Sequence, residues 1–148
     1  TQAMCTSFKT EILSGIHALG TTVIRAGTGA DTLKAALYLA SATVNASTTA
    51  YSVTGEVSGA GYSAGGVTAT NATAPTSSGT TAYWTPSASF TYTTVTLTTS
   101  FDCVLVYNST QSNKAISAHT FGAQTITAGT FVLSMPTNDS TNALIRIA

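Results

Sequence analysis

The segment Gly61-Tyr62-Ser63-Ala64-Gly65 has the G-x-S-x-G spacing that places a nucleophilic serine on a sharp turn in many hydrolases. Asp102 and His119 follow it in the chain order Ser, Asp, His. However, no strongly apolar strand precedes Gly61, and Gly65–Thr68 cannot open a stable helix. Because Ser and Gly are common in this chain, we interpret 59–66 as a glycine-rich loop, whose small residues let it pack against a neighbouring backbone or subunit.

The other residues that could hold a cofactor or metal lack the necessary setting. Gly59-x-Gly61-x-x-Ala64 is a loose dinucleotide fingerprint without the strand–helix–strand unit and acidic residue that it requires. His17 and His119 have no carboxylate or cysteine at a metal-ligand spacing. We therefore expect no catalytic residue, cofactor or metal: His17 faces solvent or an interface, His119 is a hydrogen-bonded strand residue, and Asp102 is a turn or cap residue.

Six aromatic residues could form a surface on which sugar rings stack, namely Tyr51, Tyr62, Tyr83, Trp84, Tyr92 and Tyr107. They are distributed over nearly the whole chain. The simpler interpretation is that they anchor the core and the interfaces of the protein. A glycan-binding face remains the alternative.

Charged side chains are scarce. They make up 7% of the 148 residues, five basic and five acidic, whereas a soluble domain usually has about 25%. Nucleic acids and membrane surfaces are not expected as partners, because binding them requires clustered Lys and Arg. A net charge of zero favours self-association, and a hydrophobic content of 43% argues against disorder. The composition predicts a homo-oligomer or a protein fixed on a larger body.

Thr makes up about a fifth of the chain, and this β-branched residue favours strands. There is no apolar run of about 18 residues and no basic segment followed by an apolar one, so neither a membrane span nor a signal peptide is expected. Release by lysis inside a particle would need neither. Cys5 and Cys103 are far apart in sequence, and we expect two unpaired, largely buried thiols.

The N-terminal region has helical periodicity. Apolar residues between 7 and 19 form one stripe, Ser7 can cap the helix, and Gly20 can end it. Residues 1–6 are expected to form a polar arm. The sequence thus divides into an arm and helix over 1–20 and a β domain over 21–148.

The rest of the chain is rich in strand patterns, with a turn about every 8 to 12 residues. The phase of the alternation in Phe90–Thr98 changes, which predicts a bulge near Thr93–Thr94. We expect a mainly β chain forming a single β-sandwich or jelly-roll-like domain with a short N-terminal helix. The expected strands are Thr32–Leu39, Tyr51–Val57 (ambiguous), Val67–Thr73, Thr80–Thr85, Phe90–Thr98, Phe101–Tyr107, Ala115–Phe121, Thr130–Met135 and Asn142–Ile147, with a turn at Asn108–Asn113.

Several segments resemble a family of small proteins encoded in the structural-gene regions of tailed bacteriophages. The resemblance is patchy but spans most of the chain, and it implies a place in the virion without supplying a site. The segments are Thr6–His17 (TSFKTEILSGIH), Leu33–Leu39 (LKAALYL), Thr48–Tyr51 (TTAY), Glu56–Gly66 (EVSGAGYSAGG), Leu105–Asn108 (LVYN) and Ala143–Ile147 (ALIRI).

Together these observations predict a virion structural protein rather than an enzyme. The first expectation is a capsid decoration or cement protein that contacts the major capsid protein or other virion proteins; the alternative is a tail adaptor or fibre component that recognises the host surface. Phe8, Ile12 and Ile16 are the expected contact stripe, although they could equally pack on the domain's own sheet. Tyr62 and Trp84 are further interface candidates.

Overall fold

The chain is mainly β, with two antiparallel sheets. The computed structural model describes residues 2–5, 8, 12, 16–17, 19–21, 29–70 and 73–148. A five-stranded sheet has the order β1-β7-β6-β2-β3, and a three-stranded sheet has the order β4-β5-β8. The strands are β1 (Gln2–Met4), β2 (Leu33–Leu39), β3 (Val67–Thr68), β4 (Thr76–Ser78), β5 (Thr81–Trp84), β6 (Phe90–Asn108), β7 (Lys114–Leu133) and β8 (Ile145–Ile147).

The centre of the larger sheet is formed by β2 and the second half of β6. Leu33 pairs with Asn108 and Tyr38 with Cys103, and the side chains of both segments are almost all buried. Continuous burial explains why Phe101–Tyr107 is apolar at nearly every position instead of alternating. The register of the central sheet is therefore fixed by apolar residues on both faces.

The strands β6 and β7 form one long hairpin that bends sharply. Its ladder is interrupted by register shifts between Tyr92 and Cys103, which leave extra residues on each strand in turn. Thr94 and Ala128 adopt φ values of 52° and 47° within this region, the left-handed conformation found at bulges. Bulges increase local twist and bend a ribbon, so the two halves of the hairpin run in different directions.

The smaller sheet contributes Trp84 and Ile145, which pair across β5 and β8 and are both buried in the common core. The indole N–H of Trp84 donates to the carbonyl of Thr73 at 2.6 Å, so the polar end of this large side chain is satisfied. The Leu144 amide donates to Thr85 Oγ1 at 3.0 Å, which joins the end of β5 to the segment leading into β8.

The prediction of a mainly β chain is confirmed, and the described residues form no helix element. Most of the predicted helix, residues 7–19, lies outside the described residues; within it, Phe8 and Ile12 have helical backbone conformation. The predicted arm is a strand over Gln2–Met4, which pairs with Ser117–His119 of β7. This strand therefore belongs to the larger sheet, and the predicted division at residue 20 stays a prediction. Joining the sheet gives the backbone N–H and C=O groups of this segment hydrogen-bond partners within the protein.

Most strand predictions are confirmed, with four corrections. Tyr51–Val57 forms turns and one bridge rather than a strand, and only Val67–Thr68 of the segment 67–73 is strand. Asp102 lies within β6 and is not a turn or cap residue. The two short strands expected before the turn at Asn108 are joined into the single bent strand β6, and the two expected after it are joined into the single bent strand β7.

Candidate functional site

The glycine-rich loop 59–66 is wedged between the backbones of β2 and β6. A Cβ atom added to Gly66 would lie 1.7 Å from the carbonyl oxygen of Ala35, and one at Gly59 would lie 2.0 Å from that of Thr96. Gly61 has a φ of 77° and the same lack of space, against the carbonyl of Thr94. The prediction that small residues let this loop pack against a neighbouring backbone is confirmed.

The loop holds Glu56 in a buried cluster of hydroxyl groups. The carboxyl group of Glu56 accepts hydrogen bonds from Tyr51 Oη at 2.6 Å, Tyr62 Oη at 2.7 Å and the Gly65 amide at 2.7 Å. Glu56 itself is only 8% exposed. Three donors around one carboxyl group offset the cost of removing it from water, so the cluster is satisfied internally.

Five tyrosines surround this carboxyl group. Tyr51 stacks on Tyr107 with ring centroids 4.7 Å apart, and Tyr62 stacks on Tyr92 at 6.0 Å. The hydroxyl of Tyr92 donates to the Ala35 carbonyl, that of Tyr107 to the Gly65 carbonyl, and that of Tyr38 to the Ser52 carbonyl. We refer to Glu56 and Tyr38, Tyr51, Tyr62, Tyr92 and Tyr107 as the Glu56–tyrosine cluster.

The electrostatics of the cluster keep its hydroxyl groups protonated. Burial, reinforced by the negative charge of Glu56, raises the pKa of Tyr107 to about 12. Burial also raises the pKa values of Tyr62, Tyr92 and Tyr51, and the hydrogen bond to Glu56 adds to the effect in Tyr62 and Tyr51. These phenols are donors at neutral pH, and none is a phenolate that could act as a base.

In the predicted aromatic set, Trp84, Tyr92 and Tyr107 are therefore core residues. Tyr51 and Tyr62 are half-buried and pack against that core. Tyr62 and Tyr92 join the loop and the first half of β6 to β2, and Tyr51 and Tyr107 join the 51–56 segment to the end of β6. The sequence reasoning missed Glu56. The available signal was the spacing of the acidic residue, because Glu56 lies five positions after Tyr51 and six positions before Tyr62.

A second buried polar group lies at the hairpin end of β6. Asn108 is fully buried; its side-chain amide donates to Asp31 Oδ2 at 2.8 Å and contacts His17 Nδ1 at 3.0 Å. Its carbonyl oxygen accepts from the amides of Thr110 and Gln111, which fixes the turn. His17 is thus buried instead of solvent-facing, because it closes this network and packs edge-on against a phenylalanine ring, that of Phe8.

The three residues of the hydrolase alternative have separate partners. Ser63 is exposed on the loop, where its carbonyl accepts from the Gly66 amide, and Asp102 lies in the middle of β6. The imidazole of His119 shares a hydrogen bond with Ser117 Oγ at 2.8 Å, as expected for a structural histidine. Its Nδ1 is buried and has no hydrogen-bond partner among the described residues. Burial lowers the pKa of His119 to about 4.

His119 also lines an open cleft of about 450 Å³. Arg146 also lines this cleft, and its guanidinium donates to the Thr141 carbonyl. No group of three or more His, Cys, Asp or Glu side chains in the described part of the chain could hold a metal ion. Cys5 and Cys103 are both buried and form no disulfide bond, as predicted, and burial raises the pKa of the Cys103 thiol to about 11.

The predicted interface residues fall into two groups. Phe8 and Trp84 have exposures of 0% and 1%, so the structure assigns them to the core of this chain rather than to a contact surface. Burial of Phe8 supports the alternative in which the stripe packs on the domain's own sheet. Ile12, Ile16 and Tyr62 are half-buried, and their role in an interface stays a prediction.

The surface of the long hairpin is the most distinctive feature of the exterior. Every exposed position on β6 and β7 is Thr, Ser, Gly, Ala, Gln or Val, and none carries a charge. Apart from tyrosine and cysteine, these strands contain three side chains that can carry a charge. They are Asp102, Lys114 and His119, and each is half-buried. We refer to the exposed face of β6 and β7 as the uncharged hairpin surface.

Comparisons with known proteins place the chain in no established family. No protein-family model, curated protein or solved structure matches it. In the residues that the structure covers, no helix has the length and apolar character needed to cross a membrane. The properties of the uncharged hairpin surface and of the Glu56–tyrosine cluster are therefore the basis for a functional proposal.

Proposed function

We propose that this chain is a structural protein of a bacteriophage virion, most specifically a decoration protein that binds the outside of a capsid as a homo-oligomer. The observation that carries the proposal is the uncharged hairpin surface. A surface with so few charged groups keeps a chain poorly soluble by itself and is suited to permanent contact with other subunits.

The interior supports the same proposal. The buried polar groups bind one another: Glu56 accepts from two tyrosines and an amide, and Asn108 is bonded to Asp31. Such networks rigidify a domain and specify one packing arrangement. A rigid body with a fixed outer surface suits a protein that must repeat the same contact many times on a particle.

We further propose that the two sheets pack as a β-sandwich or a jelly-roll-like body. Trp84 from the smaller sheet and Phe90, Leu97 and Leu105 from the larger one belong to the same buried core. In a sandwich the inner faces of two sheets share one apolar layer in this way.

A tail adaptor or fibre component that recognises the host surface is the second candidate. Thr-rich exposed strands suit it equally well, because hydroxyl groups bind polysaccharide. The stacking of Tyr51 on Tyr107 and of Tyr62 on Tyr92 disfavours a broad aromatic sugar-binding face, since these rings are occupied by contacts with each other.

Mass spectrometry of density-purified particles tests the proposal. A decoration protein should have a copy number of the same order as the major capsid protein, and particles lacking it should release their DNA at a lower temperature. A few copies confined to the tail by gold labelling would support the second candidate. Absence from purified particles, with the protein present in the lysate, would contradict both.

A further inference from the structure

The outer edge of β7 over Gly129–Leu133 has no strand beside it in the described part of the chain. β1 covers only Ser117–His119 of β7, and β6 pairs along the opposite edge. No described residue forms a backbone–backbone hydrogen bond to the outward side of 129–133. Alternate N–H and C=O groups there are left for an external partner. We refer to this side of 129–133 as the β7 edge.

The corresponding edge of β6 is covered, which makes the β7 edge distinctive. The Thr96 amide donates to the Ala60 carbonyl at 2.8 Å, and the glycines at 59 and 61 lie against the carbonyls of Thr96 and Thr94. The glycine-rich loop thus closes one side of the ribbon. A partner strand can reach this part of the hairpin only from the β7 side.

The β7 edge also lacks the features that usually prevent strand pairing between molecules. Such edges are commonly protected by charged side chains or proline. No Asp, Glu, Lys or Arg occurs from Ala115 to Asn138, and no proline occurs from Ser87 to Met135. Val132 is 47% exposed and Thr130 is exposed as well. A partner strand would therefore meet no charged side chain that repels it and no proline that lacks a backbone N–H donor.

The edge is held rigidly from inside. Phe131 packs against Tyr92 and against Phe101, with ring centroids 6.0 Å and 5.1 Å away. The burial pattern of Gly129–Leu133 alternates between half-buried and exposed, as in a regular strand. A strand that is already ordered loses little conformational entropy on pairing.

We propose that the β7 edge pairs antiparallel with the β7 edge of a second copy of this chain, forming a dimer with two-fold symmetry. The occupant must be a β-strand, because the edge presents backbone donors and acceptors, and it must tolerate an uncharged neighbour. A second copy meets both requirements, and an isologous contact uses up both free edges in one closed assembly. The inference rests on the homo-oligomeric part of the proposed function.

Sedimentation velocity of the free protein over a range of concentrations tests the dimer. Thr130→Lys and Val132→Lys place a charge on the edge strand, and each should raise the dimer dissociation constant at least tenfold. Thr91→Lys is the matched control, since Thr91 is exposed and pairs with Val132 on the neighbouring strand. It should leave the constant unchanged. Thermal melting of each variant confirms that it is folded.

Hydrogen exchange of the unmodified chain provides a second measurement that no folding defect can obscure. Amides of 130–133 that face outward should exchange slowly at concentrations where the dimer forms and rapidly on dilution. A chain that stays monomeric at all concentrations, or a dimer whose dissociation constant is unchanged in both β7 variants, would overturn the proposal. Because these tests use free protein, a dimer found alongside absence from purified particles refutes only the virion assignment.

Discussion

Phe121 and Phe131 lie on the same strand, ten residues apart, yet their ring centroids are only 5.4 Å from each other. A straight strand would separate them by about 33 Å, at about 3.3 Å per residue. The hairpin must therefore fold back so that its two halves face one another. Phe101 fills the space between them, at 6.0 Å from Phe121 and 5.1 Å from Phe131, both edge-on.

We expect Phe101→Ala to be the most damaging substitution in this aromatic group. Phe101 is fully buried and contacts both halves of the bent hairpin, so its loss leaves a cavity at the corner. The free energy of unfolding should fall by about 3 to 5 kcal/mol. Urea denaturation measures it, and Val53→Ala, at a position 67% exposed, is the control that should change little. Equal effects of the two substitutions would contradict the folded-back hairpin.

This bend shows where local sequence patterns stop being informative. The alternation at Phe90–Tyr92 and the apolar run at Phe101–Tyr107 correctly predicted two strand segments, and the phase change correctly predicted a bulge near Thr94. The stretch Thr98–Ser100 is polar and exposed, as a turn between strands would be. A polar interruption looks the same whether the strand ends or bends, so the merger into one strand depends on tertiary contacts.

The same limit applies to the Glu56–tyrosine cluster. The glycine loop and the apolar strand β2 were predictable, because each depends on residue type over a short window. The meeting of Glu56 with Tyr107 and Tyr92 depends on chain segments roughly forty to fifty residues away in sequence. Only the folded sheet brings those segments together, so no local pattern could identify the carboxyl group as their centre.

Replacing the central acceptor should destabilise the fold. Glu56→Gln keeps the size of the side chain but replaces one acceptor oxygen with an NH₂ group that faces hydroxyl and amide donors. We expect a loss of about 3 kcal/mol in the free energy of unfolding, because hydrogen bonds to charged groups contribute about 1.5 to 3 kcal/mol each. Chemical denaturation gives the value.

Tyr51→Phe provides the graded comparison for that substitution. It removes a single donor to Glu56 and leaves the stacked ring in place, so the loss should be about 1.5 kcal/mol, the lower end of the range for one hydrogen bond to a charged group. A Glu56→Gln variant as stable as the unmodified chain would show that the cluster does not stabilise the fold.

The cluster predicts a loss of stability at alkaline pH. The pKa of Tyr107 is raised from 10.0 to about 12, and those of Tyr62 and Tyr92 are raised by burial as well. A phenol that stays neutral in the folded chain but ionises in the unfolded one favours unfolding once the pH exceeds the unfolded value. The free energy of unfolding should therefore keep the full contribution of these tyrosines below about pH 10 and decrease above it.

Tyrosinate absorbance and circular dichroism, recorded together in an alkaline titration, check this. Both signals should change at the same pH, because the cluster ionises only when it opens. A titration of free tyrosine provides the reference. Ionisation of all tyrosines near pH 10 without loss of structure would contradict the prediction.

His119 predicts the opposite trend on the acid side. Burial lowers its pKa from 6.5 to about 4, so the folded chain favours the neutral ring. A base with a depressed pKa contributes stability above its unfolded pKa and loses it as the pH falls through the folded value. The melting temperature should drop between about pH 6.5 and pH 4. His119→Gln should flatten this part of the curve, and an unchanged pH profile in that variant would refute the assignment.

The glycine loop gives the sharpest comparison between two similar substitutions. Gly66→Ala would place a Cβ 1.7 Å from the Ala35 carbonyl oxygen, at a φ of 70°. Gly79 has a similar φ of 58° but open space around it. Gly79→Ala should cost about 1 kcal/mol through backbone strain alone, whereas Gly66→Ala should cost more than about 4 kcal/mol or prevent folding. Because the φ values are close, the difference measures how tightly the loop is held between β2 and β6, and similar costs in denaturation experiments would show that it is not.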